Sequence, residues 1–254
     1  MIGTDSAAPD GIVADGVVAD IVIPVYNEGA NIRSVLDSLK QVPHRLRILI
    51  CYDFEQDDTL AALAVYDGGP LEIVLVRNQT RGALGAVRSG LAASTAPLVI
   101  TFPADDDYNG SRVGPMIDLA LSGHDMVVAS RFMPGGTMEG CPPLKAFLVR
   151  GASMFMYYVA RVPTRDATNG LRLFSRRLLS LTTIEASAGF AYSIELLVKA
   201  HRLGLPIVEL PFLWRERVAG RSRFKIVGWL PEYLRWVRYA LATTYLGRRT
   251  GGAA

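Results

Sequence analysis

Residues 17–28 read VVADIVIPVYNE, and this stretch decides the fold class. Most of it is apolar and β-branched, which is typical of a strand buried on both faces in a parallel sheet. Pro24 then removes a backbone donor, and the polar residues Asn27 and Glu28 follow where the strand ends. A strand edge with Asn27 capping the next helix explains the same residues, so this stretch alone indicates architecture and no particular activity.

Similar apolar runs predict four more strands in the first half, at residues 47–51, 71–76, 97–102 and 125–129. Apolar residues at helical spacing lie between them, namely Ile32, Val35, Leu36 and Leu39, then Leu60, Leu63 and Ala64, then Leu84, Val87 and Leu91. This alternation predicts an α/β domain with a Rossmann-like, mostly parallel sheet flanked by helices, whose ligands bind at the carboxyl ends of the strands. Beyond residue 131 the pattern is less regular and predicts two helices and a short strand near residues 207–210.

The composition excludes several classes of protein. The chain has 254 residues, half of them hydrophobic, which suffices for one large domain. Its 27 basic residues barely exceed its 24 acidic ones and form no stripe with aromatic residues, so we expect no nucleic-acid partner. Cys51 and Cys141 lack metal-ligand spacing and indicate free thiols in a reducing compartment. We predict neither a signal peptide nor a transmembrane helix, so membrane contact would be peripheral and on the cytoplasmic face.

Polar loops follow the second and third predicted strands. Asp53 opens an acidic turn that runs to Thr59 and suits a nucleobase or ribose, although Asp57 or Asp58 there also suits a helix N-cap. The loop RNQTRGALGAVRSG at residues 77–90 leads into a helix and suits an anion. Its glycines do not form the dinucleotide fingerprint, which argues against an NAD enzyme.

Three adjacent carboxylates, Asp105, Asp106 and Asp107, follow the fourth strand. Their repulsion becomes tolerable when a hard divalent cation takes them as oxygen ligands. A solvated turn that caps the next helix through Asn109 is the alternative, and carboxylates beside an ion also suit a hydrolase. Arginines in the second half favour phosphate chemistry, because guanidinium groups stabilise a departing diphosphate. These are Arg131, Arg165, Arg172, Arg215, Arg217, Arg221 and Arg223.

Six motifs in this order resemble the family 2 glycosyltransferases of the GT-A fold and, within them, the dolichol-phosphate mannose synthase or polyprenyl-phosphate glycosyltransferase branch. They are IVIPVYNE from Ile21, the acidic turn from Asp53, RNQTRGALGAVRSGL from Arg77, SRFMPGG from Ser130, RDATNGLRLFSR from Arg165 and RVAGRSRF from Arg217. The resemblance covers residues 21–224. It implies a loose tail over residues 1–19, a GT-A domain over 20–223 and a membrane-associating extension with interfacial helices over 224–254.

The resemblance also implies roles for individual residues. The donor pocket would be lined by Pro24, Tyr26, Glu28, Asp53, Asn78, Gly82, Ala104 and Asp105. Asp105 and Asp107 would hold a divalent metal, Mg²⁺ or Mn²⁺. The acceptor phosphate would meet Arg131, Asp166, Asn169, Arg217, Arg221, Ser222 and Arg223, and the catalytic set would be Asp105, Arg131, Arg217 and Arg223. Alternatively, Asp166 only pairs with a neighbouring arginine.

The sequence departs from the family pattern at Pro103, where the first acidic residue of the D-x-D metal motif is expected. Asp106 or Asp107 would compensate for this loss. The departure also permits a non-catalytic subunit that only binds a nucleotide sugar.

The reaction that the resemblance implies is inverting transfer of a hexose from a nucleoside-diphosphate sugar, GDP-mannose or a UDP-sugar, to a polyprenyl (dolichyl-type) phosphate. The acceptor phosphate is already anionic and needs no strong base, so the protein's task is positioning. A soluble or protein acceptor is the alternative within enzymes, and a homo-oligomer also stays open.

A polyprenyl acceptor requires an apolar surface beside the site, and two segments offer one. Residues 143–161 and 224–249 interleave apolar and aromatic residues with basic ones, which suits the lipid headgroup boundary. Core-facing helices or an oligomer interface are the alternative. Its density of Trp and Arg makes the C-terminal segment the stronger candidate.

Overall fold

The computed structural model describes residues 16–187, 189–215 and 226–247, with the backbone alone for residues 226–229. Its strands are β1 (Ala19–Pro24), β2 (Leu46–Tyr52), β3 (Glu72–Arg77), β4 (Leu98–Thr101), β5 (Met126–Ser130), β6 (Thr137–Glu139), β7 (Arg172–Ser175), β8 (Ile207–Pro211) and β9 (Leu213–Arg215). Its helices are α1 (Ile32–Leu39), α2 (Asp58–Ala64), α3 (Ala83–Ala93), α4 (Gly110–Leu121), α5 (Pro143–Tyr158), α6 (Arg176–Leu181), α7 (Ala191–Leu203) and α8 (Ile226–Tyr245). Most of the predicted N-terminal tail lies outside the described residues.

Seven strands form one sheet in the order β3-β2-β1-β4-β7-β5-β8. Every pairing in it is parallel except those of β7, which runs antiparallel to both β4 and β5. The five strands predicted in the first half agree with the structure to within two residues at each end. The predicted α/β fold with a mostly parallel sheet flanked by helices is confirmed.

Strand β1 is buried on both faces, as its unbroken apolar run predicts. Ile21 and Ile23 pack into the core beneath α1 and α4, whereas Val22 packs with Ala86 of α3 on the other face. Helix α3 comes very close to the sheet at Gly90, where an added Cβ would stand 2.4 Å from a Val22 methyl carbon. A larger residue at this position would force the helix away from the sheet.

The second half departs from the prediction of two helices and one strand. Beyond residue 131 the described chain contains four strands, β6 to β9, and four helices, α5 to α8. Strands β6 and β9 have three residues each and pair only with each other, and β7 has four. Strands this short carry too few residues for an apolar alternation to be recognised.

The strand order places a topological switch point between β1 and β4. Strands β2 and β3 lie on one side of β1, and β4 lies on the other, so the following loops diverge and leave a crevice. The loop with Tyr26 leaves β1 there, and the acidic loop at residues 103–109 leaves β4 beside it. The candidate site therefore has to be built from these loops.

Candidate active site

The loop after β1 is fastened to the first turn of α2. The backbone N–H of Asn27 donates to both oxygens of Asp57 at 3.1 Å, and the Glu28 N–H donates to the Thr59 hydroxyl at 2.9 Å. Asp57 is buried and also caps α2, so the predicted cap in the acidic turn is confirmed. The predicted cap at Asn27 for α1 is wrong, because its side-chain oxygen accepts from the N–H of Asp58 in α2.

The predicted donor-binding residues of this loop lie at its solvent side. Tyr26 is 44% exposed, and its ring meets Phe54 edge-on with 5.4 Å between the ring centres. Pro24 and Glu28 are half-buried, and the Glu28 carboxylate accepts from the Asn31 side chain at 2.8 Å. The structure thus brings Pro24, Tyr26 and Glu28 to the edge of the crevice.

Asp53 occupies the N-terminus of α3. Its carboxylate accepts from the Asn78 side chain at 2.8 Å and from the Gly82 N–H at 3.0 Å. Gly82 reaches this position with φ +91°, a conformation that favours glycine. The loop at residues 77–90 suits an anion, as predicted, and the anion that it binds here is the chain's own Asp53. Asp53, Asn78 and Gly82, three predicted donor-binding residues, therefore form one cluster.

The three acidic residues after β4 divide between interior and surface. Asp106 is buried, Asp105 is half-buried and Asp107 is exposed, while Ala104 packs into the core. Burial raises the pKa of Asp106 from 3.8 to about 6. Hydrogen bonds from Asn109 and Tyr108 lower this pKa in part, and the charge of the neighbouring Asp105 raises it further. Asp106 is therefore an internal hydrogen-bond acceptor and cannot replace, at the surface, the acidic residue that is missing at Pro103. Of the two residues expected to compensate for this loss, only Asp107 is exposed.

Asn109 ties the acidic loop to β9. It sits at the N-cap position of α4 but makes no side-chain cap, contrary to the alternative reading of this loop as a capping turn. Its amide instead donates to Asp106 at 2.8 and 2.9 Å and to the Leu213 carbonyl at 2.8 Å. The Leu213 N–H donates back to the Asn109 side-chain oxygen at 3.3 Å.

Strand β9 contacts the same loop a second time through Arg215. The Arg215 guanidinium lies over the Tyr108 ring, 4.5 Å from its centre, and Nε donates to Glu139 of β6 at 2.6 Å. Arg215 is therefore held by a ring and a carboxylate beside the acidic loop.

Arg131 follows β5 and pairs with Asp166. Nε donates to one Asp166 oxygen at 2.7 Å, and Nη2 donates to the other at 2.8 Å and to the Thr168 hydroxyl at 2.7 Å. Burial alone would raise the pKa of Asp166, but the charge of Arg131 outweighs it and holds the pKa of this carboxyl below its usual value. The alternative that Asp166 pairs with a neighbouring arginine is confirmed, and its predicted contact with the acceptor stays a prediction.

Asn169 and Arg172 shape the backbone behind this pair. Asn169 is buried and donates to the Ala129 carbonyl at 2.6 Å, which joins its loop to β5. Arg172 is fully buried, and its guanidinium donates to four backbone carbonyls, those of Asp166, Ala167, Asn169 and Ser193. Burial lowers the pKa of Arg172 to about 10, so it stays protonated at neutral pH. The expectation that Arg172 serves phosphate binding is wrong, because its charge faces the interior.

A cavity of about 480 Å³ lies between the chain after β5 and α5. Its lining combines two arginines with apolar residues: Arg131, Phe132, Gly136, Thr137, Met138, Ala146, Phe147 and Arg150. The guanidinium carbons of Arg131 and Arg150 stand 5.1 and 6.0 Å from the centre of the Phe132 ring. Arg150 and the part of the Arg131 guanidinium that Asp166 leaves unbonded, beside apolar walls, suit a ligand with an anionic head and an apolar body.

The remaining predicted arginines divide into two groups. Arg165 is committed to Glu209, to which its backbone N–H donates at 2.7 Å and its guanidinium at 2.5 Å. Arg217, Arg221, Ser222 and Arg223 lie outside the described residues, so their predicted phosphate contacts stay predictions.

Helices α5 and α8 are the two segments predicted to meet a membrane. Helix α5 buries only Ser153 and Met156 and leaves a row of large apolar side chains exposed: Leu144, Phe147, Leu148, Phe155 and Tyr158, continued by Val159. We call this row the α5 stripe. Helix α8 packs along α7 with Trp236 and Ala240 fully buried, although Leu230 and Leu234 stay exposed. None of the helices within the described ranges is long and apolar enough to cross a bilayer.

Two residues of the site escaped the sequence-based prediction. In the sequence Arg150 is one of the basic residues interleaved in segment 143–161, although its helical spacing from Ala146 places both on one side of α5. Asn109 was interpreted as a cap, and its contact with Leu213 spans 104 positions, which local spacing cannot indicate.

Comparison with known proteins identifies the family of this chain. The family model for glycosyl transferase family 2 matches residues 20–181. Polyprenol monophosphomannose synthase of Mycolicibacterium smegmatis is 27% identical over 229 residues, which cover 82% of this chain and 85% of that protein. Undecaprenyl-phosphate mannosyltransferase of Micrococcus luteus is 26% identical over 90% of this chain and 96% of its own length.

Solved structures agree on the fold. Glucosyl-3-phosphoglycerate synthase from Mycobacterium tuberculosis, in complex with Mn²⁺, uridine diphosphate and glucosyl-3-phosphoglycerate, superposes with a TM-score of 0.60. It is 22% identical and covers 92% of this chain and 81% of that chain. Because the family model covers well over half of the sequence and the sheet is that of GT-A enzymes, the chain belongs to glycosyl transferase family 2.

Proposed function

We propose that this enzyme transfers a hexose from a nucleoside-diphosphate sugar, GDP-mannose or a UDP-sugar, to a polyprenyl phosphate, with inversion at the anomeric carbon. The names of relatives that match most of the chain support the acceptor class, since they refer to polyprenol monophosphomannose, dolichyl phosphate or undecaprenyl phosphate. Their identities of 26 to 28% leave the donor open.

The observation that carries the proposal is the cavity between Arg131 and Arg150, together with the α5 stripe beside it. An acceptor phosphate would bind the two guanidinium groups. Asp166 engages Nε and Nη2 of Arg131, which leaves the Nη1 donors for this phosphate. Phe132 and Phe147 would contact the first isoprene units, and the rest of the lipid would leave along α5.

The donor would bind on the other side of the crevice. Its nucleoside would lie against Tyr26 and the Asp53 cluster, and its diphosphate would face the acidic loop. The donor set fits a divalent cation such as Mg²⁺ or Mn²⁺, because Asp105 and Asp107 both reach solvent and such ions take one or two carboxylates plus substrate phosphates. The described residues hold no group of three or more metal-ligating side chains, so the diphosphate would have to complete the site.

The chemistry asks the protein for alignment more than for proton transfer. The acceptor phosphate is anionic at neutral pH, so one of its oxygens attacks the anomeric carbon while the bond to the diphosphate breaks on the opposite face. A bound cation would offset the charge that develops on the diphosphate. Arg131 and Arg150 would hold the attacking phosphate, and Arg217, Arg221 and Arg223 are proposed to close over the diphosphate.

The α5 stripe supports a membrane setting. Lys145 on α5 and Arg161 just after it would meet anionic headgroups while the stripe enters the apolar boundary. The enzyme would then bind peripherally, on the cytoplasmic face, with the cavity open toward the lipid.

The test is a transfer assay with a panel of donors and two acceptors, a polyprenyl phosphate in liposomes and a water-soluble phosphate. We expect metal-dependent transfer to the lipid and an inverted product. Asp105→Ala should abolish transfer and leave the fold intact. Arg150→Ala should raise the acceptor KM at least 10-fold with the donor KM unchanged. Arg177→Ala is the matched control. It removes a charge from α6, where Arg177 pairs with Asp125, and should change neither the acceptor KM nor the donor KM. Full turnover of the Asp105 variant would refute the assignment.

A further inference from the structure

We infer that Asn109 is a positioning residue that sets the distance between the acidic loop and β9, and this inference rests on the proposed function. Asn109 is 1% exposed and cannot touch a ligand itself. Any effect on transfer must therefore act through the residues that it holds.

The Asn109 side chain forms hydrogen bonds to β9 of the kind that a neighbouring strand would form. It donates to the Leu213 carbonyl and accepts from the Leu213 N–H, so that its amide replaces a peptide group. Only Asn and Gln side chains carry both an amide donor and a carbonyl acceptor. Gln is one methylene longer and would displace the strand in this buried position.

The same amide holds the acidic loop from within. Both Asp106 oxygens accept from Nδ2, and one of them also accepts from the Asn109 backbone N–H at 3.1 Å. Since Asp106 lies between Asp105 and Asp107, one side chain fixes the peptide that carries both proposed metal ligands. Loss of the amide would free this peptide on one side and Leu213 on the other.

Strand β9 is the right partner for such a link. It carries Arg215, which already stacks on Tyr108 of the acidic loop, and the arginine-rich residues 216–225 follow it in the sequence. Asn109 thus joins the acidic loop, which carries the proposed metal ligands, to the strand that precedes the arginines proposed to bind the diphosphate. A misplacement of about 1 Å between reacting groups can cost about 100-fold in rate.

The experiment compares three variants with the wild type. Asn109→Ala removes the link. Asn109→Asp keeps its size but loses the donor and sets a second carboxylate against Asp106. The double variant Asp106→Asn/Asn109→Asp exchanges the two groups, which restores the contact inside the loop and the bond from the Leu213 N–H but not the bond to the Leu213 carbonyl. Ser122→Ala at the far end of α4 removes an exposed hydrogen bond to the Leu119 carbonyl, away from the acidic loop, and is the control.

We expect Asn109→Ala and Asn109→Asp to lower kcat and to raise the donor KM, each by about 10-fold or more, with the acceptor KM within about 2-fold. The exchanged pair should recover about half of the loss on a logarithmic scale. Hydrogen exchange should accelerate together in residues 105–108 and 213–215, and calorimetry should show weaker binding of Mn²⁺ with nucleoside diphosphate. A general loss of structure would instead change donor and acceptor KM alike.

Two results would overturn the inference. One is kcat and donor KM within 2-fold of wild type in folded Asn109→Ala. The other applies also if Asn109→Ala does not fold. It is wild-type kcat and KM values in the double variant Asp106→Asn/Asn109→Asp, although amide hydrogen exchange at Leu213 is faster. An inactive wild type would refute the proposed function, whereas hydrogen exchange would still report whether Asn109 links the two segments.

Discussion

Helices α5 and α8 have similar compositions but differ in how deeply their aromatic side chains are buried. Both interleave aromatic and basic residues, yet α5 leaves Phe147 73% exposed whereas α8 leaves Trp236 1% exposed. The difference lies in what each helix packs against, because α8 lies along α7, whereas α5 buries side chains only in its second half, at Ser153 and Met156. Aromatic density alone therefore does not identify a membrane-facing helix. The C-terminal segment, the stronger candidate by sequence, is the better packed of the two.

The sharpest way to break this comparison is to truncate one large aromatic residue on each helix. Trp236→Ala should lower the free energy of unfolding by about 3–5 kcal/mol, because it empties a filled core position. Phe147→Ala should change it by less than about 0.5 kcal/mol, as for other surface positions. Chemical denaturation measures both, and equal losses would show that the α5 stripe is covered in solution.

The buried Arg131–Asp166 pair offers a second test. Asp166→Asn should cost about 3 kcal/mol, since it leaves the buried Arg131 without a counter-charge. The pKa of Asp166 is lowered in the folded state, so its contribution is present above its ordinary value of 3.8 and is lost as the pH falls below it. Acid unfolding of the variant should lack that part of the slope.

Membrane affinity separates the helices in the opposite direction. Phe147→Asp should reduce binding to anionic liposomes by about 10-fold or more, because an inserted aromatic side chain contributes about 1.5–3 kcal/mol. Val65→Asp removes an equally exposed apolar residue on the C-terminal side of α2 and should have no effect. Leu234→Asp on α8 should fall between the two. Undiminished flotation of the Phe147 variant would remove α5 from the membrane proposal.

The smallest expected effect concerns the buried side of α5. Ser153 is fully buried, and its hydroxyl has no hydrogen-bond partner within the described structure. Ser153→Ala should therefore leave stability unchanged or raise it by up to about 1 kcal/mol, because an unsatisfied polar group is removed. Thermal unfolding would reveal it, and a clear loss of stability would mean that the hydroxyl has a partner.

The sequence predicted those parts of the molecule that depend on local pattern. Buried strands can be recognised as apolar runs, and Asp57 can be recognised as a cap because it directly precedes its own helix. The orientation of Asp106 and the role of Asn109 depend on Leu213, more than a hundred positions away, and no spacing rule reaches that far. The pairing of Arg131 with Asp166 lies between these cases, because the residue types suggested a pair and only the fold could decide it.

Arg172 carries a consequence for how this protein can vary. Its planar guanidinium serves four carbonyl groups from two separate segments, and lysine offers three donors from a single point. A lysine at this position would therefore leave at least one of these four carbonyls without its donor, although the side chain lies in the interior and away from any substrate. In a survey of natural variants, an invariant arginine here would look catalytic while recording only the architecture that keeps the neighbouring loop in shape.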